Sequence, residues 1–198
     1  MTTLLVWRHG ETDWNATDRV QGQTDVPLST IGEVQAQAAA FRLAALKPTR
    51  IVSSDLSRAA SSAAALAALT GLEVALDERL RERHFGEWQG HRVSKIAERW
   101  PEKYARWRAG DAVSGLGLEN VEDLAKRVAA ALRDAADEAT DGTVVVVTHG
   151  GAARHGCAML LGWPEAAART LGGLNNCHWS ELRFDAVRGW QLRAHNVG

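Results

Sequence analysis

Apolar residues run without a break from Leu4 to Trp7 and stop at Arg8-His9-Gly10. A short uninterrupted apolar run ended by glycine predicts a buried strand over residues 3–7. Residues 11–27 are rich in Asp, Asn, Thr and Gly and predict a loop with one helical turn. Thr30-Ile31-Gly32-Glu33 has the spacing of a capping box and opens a helix. Ile31, Val34, Ala38, Phe41 and Ala45 then share an apolar face, and Pro48 closes the helix. Residues 50–53 read as a second strand. Ser54 or Asp55 can cap the helix that follows, on which Leu56, Ala59, Ala60, Ala63 and Leu66 share a face. Gly71 ends it, and residues 73–76 read as a third strand. Val121, Leu124, Val128, Leu132 and Ala135 mark a long amphipathic helix. Residues 143–148 hold four consecutive valines, the clearest buried-strand signal in the chain. His149-Gly150-Gly151 follows, then a helix to about Leu161. Residues 178–184 and 190–195 read as the last two strands, with Gly189 in the turn between them.

Strands alternating with helices predict an α/β fold: a three-layer sandwich with a mostly parallel sheet and helices on both faces. Residues 80–117 break the pattern. They hold Phe85, Trp88, Trp100 and Trp107, several arginines and five glycines. They predict a partly helical insertion over the top of the sheet, within a single domain spanning residues 1–198.

Composition narrows the function. A net charge of −1 gives no general attraction to nucleic acid or to a membrane surface. Any positive patch must be local, which suits a small anion. Only two cysteines occur, Cys157 and Cys177, without metal-ligand spacing, as expected in a reduced compartment. No leader segment and no spanning apolar run is evident, so the expected setting is the cytoplasm.

In parallel α/β sheets, ligands bind beyond the carboxyl ends of the strands. His9 and His149 each follow such an end directly, and Arg58 lies just past a third. The pattern predicts one pocket with two histidines and at least two arginines, Arg8 and Arg58. Guanidinium forks match phosphate oxygens, and backbone N–H groups at a helix start, as at Gly150, favour anions. Neighbouring positive charge disfavours the imidazolium, so a neutral histidine keeps the lone pair that attacks phosphorus. His9, fixed between its strand and Gly10, is the better nucleophile. His149 then bonds a phosphate oxygen. Glu82, in Leu80-Arg81-Glu82-Arg83-His84-Phe85-Gly86, is the carboxylate to protonate the leaving oxygen, because a bound phosphate dianion favours its acid form. A metallohydrolase using His9, Asp13, His149 and His178 competes poorly. Its spacing is irregular and its arginines would repel a cation.

These residues also resemble the histidine phosphatase superfamily, the phosphoglycerate mutase-like enzymes. Arg8-His9-Gly10-Glu11-Thr12 is similar to the family signature. Asn15, Gln21-Gly22, Ser53-Ser54-Asp55-Leu56-Ser57-Arg58-Ala59, Leu80-Arg81-Glu82 through Gly90 and Val147-Thr148-His149-Gly150-Gly151 follow in family order. The resemblance implies a phosphoglycerate mutase-like fold, a phosphorylated His9 and Glu82 as proton donor. It implies Arg8, Asn15, Gln21, Gly22, Arg58, His149 and Gly150 around the phosphate, with no metal and no cofactor. Its implied partner is a small phosphorylated substrate, and a homodimer is common among such proteins. Mutases of the family carry a tyrosine, a lysine and an arginine pair after the acid motif. Here Phe85 and Val93 stand at the first two places and no pair follows, leaving Arg83, Arg92, Arg106 and Arg108. The expectation is therefore a phosphomonoester hydrolase working through phosphohistidine; Val52-Ser53-Ser54-Asp55-Leu56, Gly86-Glu87-Trp88-Gln89-Gly90 and Leu171-Gly172-Gly173-Leu174-Asn175-Asn176 also resemble actinobacterial enzymes of the glucosyl-3-phosphoglycerate phosphatase type. A phosphoglycerate mutase or an alpha-ribazole phosphatase is the alternative. Trp14, Phe85, Trp88 and the Trp100–Trp107 stretch are expected to select the substrate.

Overall fold

The computed structural model describes residues 2–139 and 141–198. Among the described residues there are six strands: β1 (Thr2–Arg8), β2 (Arg50–Ser53), β3 (Val74–Leu76), β4 (Gly142–Thr148), β5 (Trp179–Asp185) and β6 (Gly189–Val197). The helices are α1 (Asp13–Ala16), α2 (Thr30–Ala45), α3 (Ser57–Thr70), α4 (Val93–Arg99), α5 (Pro101–Ala109), α6 (Val121–Asp137), α7 (Gly150–Leu160) and α8 (Glu165–Ala168).

The strands form one sheet in the order β3-β2-β4-β1-β5-β6. The first four in that order are parallel, and β5 and β6 are antiparallel additions. The valine run explains why β4 is central. A strand covered on both faces has no use for polar alternation. Val144 and Val146 pack with Leu4, Val6, α6 and α7 on one face. Val145 and Val147 pack with Leu5, Trp7, α2 and α3 on the other. The predicted mostly parallel sandwich is the observed fold.

Three local expectations are corrected. The apolar face predicted on α2 points to solvent: Ile31, Val34 and Phe41 are 61%, 62% and 66% exposed. The buried face is Gly32, Ala36, Ala39, Ala40 and Leu43. Close approach to α3 and the sheet selects mostly small side chains, with Leu43 the one large residue taken in, so Ile31, Val34 and Phe41 are left outside. The cap of α2 is Ser29, whose hydroxyl accepts from Gly32 N–H at 3.0 Å, one residue before the predicted box. Neither Ser54 nor Asp55 caps α3; Asp25, far away in sequence, accepts from Ser57 N–H at 2.8 Å.

Between Phe85 and Leu118, α4, α5 and a 3-10 turn at Gly86–Trp88 surround a hydrophobic cluster of their own, whereas Leu80 belongs to the core beneath the sheet. Trp88, Ile96 and Leu116 are its buried centre, with Phe85, Tyr104 and Trp107 packed on them. Trp88 and Trp107 meet edge to face at 5.7 Å. Among the described residues no helix is long and apolar enough to cross a membrane. Cys157 and Cys177 are free and buried.

Candidate active site

Register assembles the site. In the parallel pairing of β1 with β4, Arg8 lies opposite Thr148. The next residue on each strand is a histidine, so His9 and His149 emerge side by side, with ring centroids 5.1 Å apart. Both are buried, and both have pKa values well below the ordinary histidine range. Desolvation is the main cause, followed by the nearby Arg58, with Arg8 adding to it. The rings are therefore neutral.

The His9 tautomer follows from its partner. Nδ1 lies 2.6 Å from Gly10 O. A carbonyl only accepts, so Nδ1 carries the proton and Nε2 keeps its lone pair. Gly10 is required because a Cβ there would fall 2.4 Å from Gly32 O. His149 Nε2 lies 2.9 Å from Ser54 Oγ, which also accepts from Leu56 N–H at 3.3 Å. The Ser54 proton is thus free to point at Nε2, which leaves the imidazole proton on Nδ1. That atom is buried with no partner among the described residues.

The two arginines are fixed by carbonyls. Arg8 donates through Nη1 to Leu174 O at 2.6 Å. Arg58, 1% exposed, donates to Thr24 O at 3.0 Å and Gly22 O at 2.8 Å. Burial pushes the Arg58 guanidinium down to about 10. Buried polar atoms are normally satisfied. Yet Arg8 Nε, Arg58 Nε, Gln21 Oε1 and His149 Nδ1 are buried and unpaired among the described residues. Three of the four are donors, the complement of an anion.

Glu82 is held differently from expectation. Its carboxylate accepts from Arg83 N–H at 2.8 Å, Gly151 N–H at 2.9 Å and Ala152 N–H at 3.0 Å. It occupies part of the α7 N-terminus that the sequence suggested for phosphate. Gly150, one residue earlier, lines the cavity, and its N–H makes no hydrogen bond to a described residue. A Cβ on Gly151 would lie 2.6 Å from Glu82 Oε1, so the glycine serves the carboxylate.

One cavity of about 330 Å³ is lined by Arg8, His9, Asn15, Gln21, Gly22, Arg58, Glu82 and Gly150. His149 sits beneath it, against His9. Every predicted site residue thus converges. Phe85, Trp88, Val93, Tyr104 and Trp107 form the apolar wall. Trp14 and Trp100 stay off that wall. Trp14 packs under Arg19, and Trp100 against His91 and Arg99. Among the described residues no group of three or more His, Cys, Asp or Glu is placed to hold a metal ion.

The model of the histidine phosphatase superfamily (branch 1) matches residues 4–198. The chain belongs to the histidine phosphatase superfamily. Among relatives, it is 38% identical to a glucosyl-3-phosphoglycerate phosphatase of Mycobacterium tuberculosis, over 98% of this chain and 94% of that protein. It is 36% identical to a probable phosphoglycerate mutase of Shigella boydii, over 96% and 90%. A solved mycobacterial glucosyl-3-phosphoglycerate phosphatase with VO3 superposes with a TM-score of 0.92, at 38% identity, covering 99% of both chains.

Sequence reasoning missed the supports of this histidine phosphatase site. Arg127, on α6, donates to Arg79 O, Arg81 O and Glu82 O and pairs with Glu119 at 2.7 Å. It pins the backbone that carries Glu82. Asn176 donates to His9 O at 3.0 Å, and Ser62 accepts from Gly10 N–H at 3.1 Å. Arg127 reads as an ordinary polar position of an amphipathic helix; only its acceptors distinguish it.

Proposed function

We propose that this protein is a phosphomonoester hydrolase that works through a phosphohistidine on His9, acting in the cytoplasm on a small phosphorylated metabolite such as glucosyl-3-phosphoglycerate. The observation that carries the reading is the neutral His9, proton on Nδ1, beside a ring of buried donors without acceptors. The phosphoryl oxygens take Arg8, Arg58, His149 Nδ1 and Gly150 N–H, with Asn15 and Gln21 at the rim and Gly22 shaping the loop. Charge stabilisation of this kind is the main task in phosphoryl transfer. His9 Nε2 attacks phosphorus and the ester P–O bond breaks. Glu82 gives its proton to the leaving oxygen. In the second half, the Glu82 carboxylate takes a proton from water, whose oxygen attacks phosphorus. The P–N bond breaks, orthophosphate departs, and His9 is neutral again.

Residues 80–117 act as a cap within a single unit, and Phe85, Trp88 and Trp107 select the alcohol part. A mutase must exclude water and hold a second acidic group at a defined place. Phe85 and Val93 are apolar where mutases of the family carry tyrosine and lysine, which supports hydrolysis. The likeness to the probable phosphoglycerate mutase keeps isomerase turnover as the second reading.

The test is trapping. Denaturation during turnover should recover acid-labile, base-stable phosphate on the protein, lost in His9→Ala together with about a thousandfold or more of the turnover of an aryl phosphate. A variant retaining a tenth of its rate would remove His9 from the nucleophile role. Conversion of one phosphoglycerate isomer to another, faster than phosphate release, would favour the mutase.

A further inference from the structure

Residues 171–178 belong to no helix or strand, yet the catalytic floor is tied to them. The Leu174 carbonyl accepts from Arg8 Nη1 at 2.6 Å. Asn176 Nδ2 donates to His9 O at 3.0 Å and to Asn15 Oδ1 at 3.4 Å. Cys177 N–H reaches the carbonyls of Arg8 and His9. A loop has no ladder of its own, so its aim depends on what its polar groups bond outside it.

Two of those bonds come from an irregularity in the last strand. Trp179 pairs with Val197 and Glu181 with Ala194, so Ser180 alone opposes both His195 and Asn196. The extra residue is a β-bulge, a feature that re-aims side chains. Asn196 takes the left-handed conformation there, with φ of 55°. Such backbone persists where its surroundings hold it, and it is most frequent at functional sites. Both bulge residues bond the loop. Asn196 Oδ1 accepts from Asn175 N–H at 2.8 Å, and His195 Nε2 lies 2.9 Å from Gly172 O. That carbonyl only accepts, so Nε2 carries the proton. Nδ1 then accepts from the Ser180 hydroxyl at 2.8 Å. Ser180 is 1% exposed and pairs with Val6 on β1. A chain of contacts thus runs out of the sheet. Ser180 orients His195, and His195 and Asn196 hold Gly172 and Asn175, the residues on either side of Gly173-Leu174.

We propose that His195 and Asn196 are positioning residues for phosphate binding: they fix the loop whose Leu174 carbonyl aims the Arg8 guanidinium. This rests on the phosphatase reading, in which Arg8 holds the phosphoryl group. Its test is a double-mutant cycle on the equilibrium binding of inorganic phosphate, followed by calorimetry. Asn196→Gly keeps the left-handed backbone and deletes one tether; His195→Ala deletes the other. Together they should weaken phosphate binding about tenfold, and His195→Gln in place of His195→Ala, which keeps a donor for the Gly172 carbonyl, should recover most of its share. In the Arg8→Ala background the same two changes should leave the affinity within about twofold, because no guanidinium remains to be aimed. Asn196→Gly alone, which folds whatever becomes of His195→Ala, should show the same pattern with a loss of about threefold. Equal losses with and without Arg8 would make the bulge a brace of the fold. That result, or phosphate affinity unchanged in the double variant, overturns the assignment. Failure of the phosphatase reading would show instead as absent orthophosphate release by the unmodified enzyme.

Discussion

The floor of the site and the cap above it are built on different principles. The floor lies at the ends of β1 and β4, where strand register fixes His9 beside His149. Its side chains are tied by main-chain carbonyls and N–H groups, and its glycines permit contacts that a Cβ would forbid. The cap is held by side-chain packing around Trp88, Ile96 and Leu116. Hydrogen-bonded backbone positions tolerate little displacement, and apolar contacts are softer and less directional. A reacting phosphoryl group needs fixed donors, whereas a set of related alcohols needs an adaptable wall. The proposed function accordingly assigns chemistry to the floor and selection to the cap.

Substitutions can break this division. Gly151→Ala should have the largest effect after loss of the nucleophile. The new Cβ would meet Glu82 Oε1 at 2.6 Å and displace the carboxylate. Turnover of alkyl phosphates should fall by about a hundredfold, because their leaving oxygens need a proton, while nitrophenyl phosphate should lose much less. Equal losses for both would show that Gly151 serves something other than proton transfer.

Arg127→Met should sharpen the contrast from beneath the floor. It removes donors to Arg79, Arg81 and Glu82 carbonyls and leaves Glu119 without its ion pair. About 2–3 kcal/mol of stability should be lost, visible in a urea midpoint. The rate with alkyl phosphates should drop about tenfold as Glu82 loosens. A change in stability without any change in rate would make Arg127 a brace of the fold alone.

Trp107→Ala should have the smallest effect on chemistry. It removes edge contacts to Trp88 and Phe85 and opens the apolar wall. KM for sugar-bearing or glyceryl esters should rise about fivefold, more than kcat falls. A collapse of kcat larger than the change in KM would place the cap in the chemistry and erase the distinction.

Much of the floor was legible in the chain order. His9, His149, Arg58 and Glu82 each follow a strand or sit in a charged motif, and the rule that ligands gather beyond strand ends brings them together. The α2 helix shows the opposite case. Ile31, Val34 and Phe41 make the more conspicuous stripe, but the packed face is mostly alanine, with Gly32 and Leu43. Hydrophobic periodicity reports which face is apolar, and close packing decides which apolar face fits.

The sequence by itself determined that β1 and β4 are buried strands ending in Arg-His-Gly and His-Gly-Gly, because continuous apolar runs and glycines act locally. It also determined the residue types that suit a phosphate. Only the tertiary structure decided that Glu82 rests on Gly151 and Ala152 N–H groups, that Asp25 caps α3, and that His195 and Asn196 bond Gly172 and Asn175. Those contacts join segments distant in the chain. A hydrogen bond between them leaves no periodic trace in either segment, so it becomes visible only when the fold brings donor and acceptor within reach.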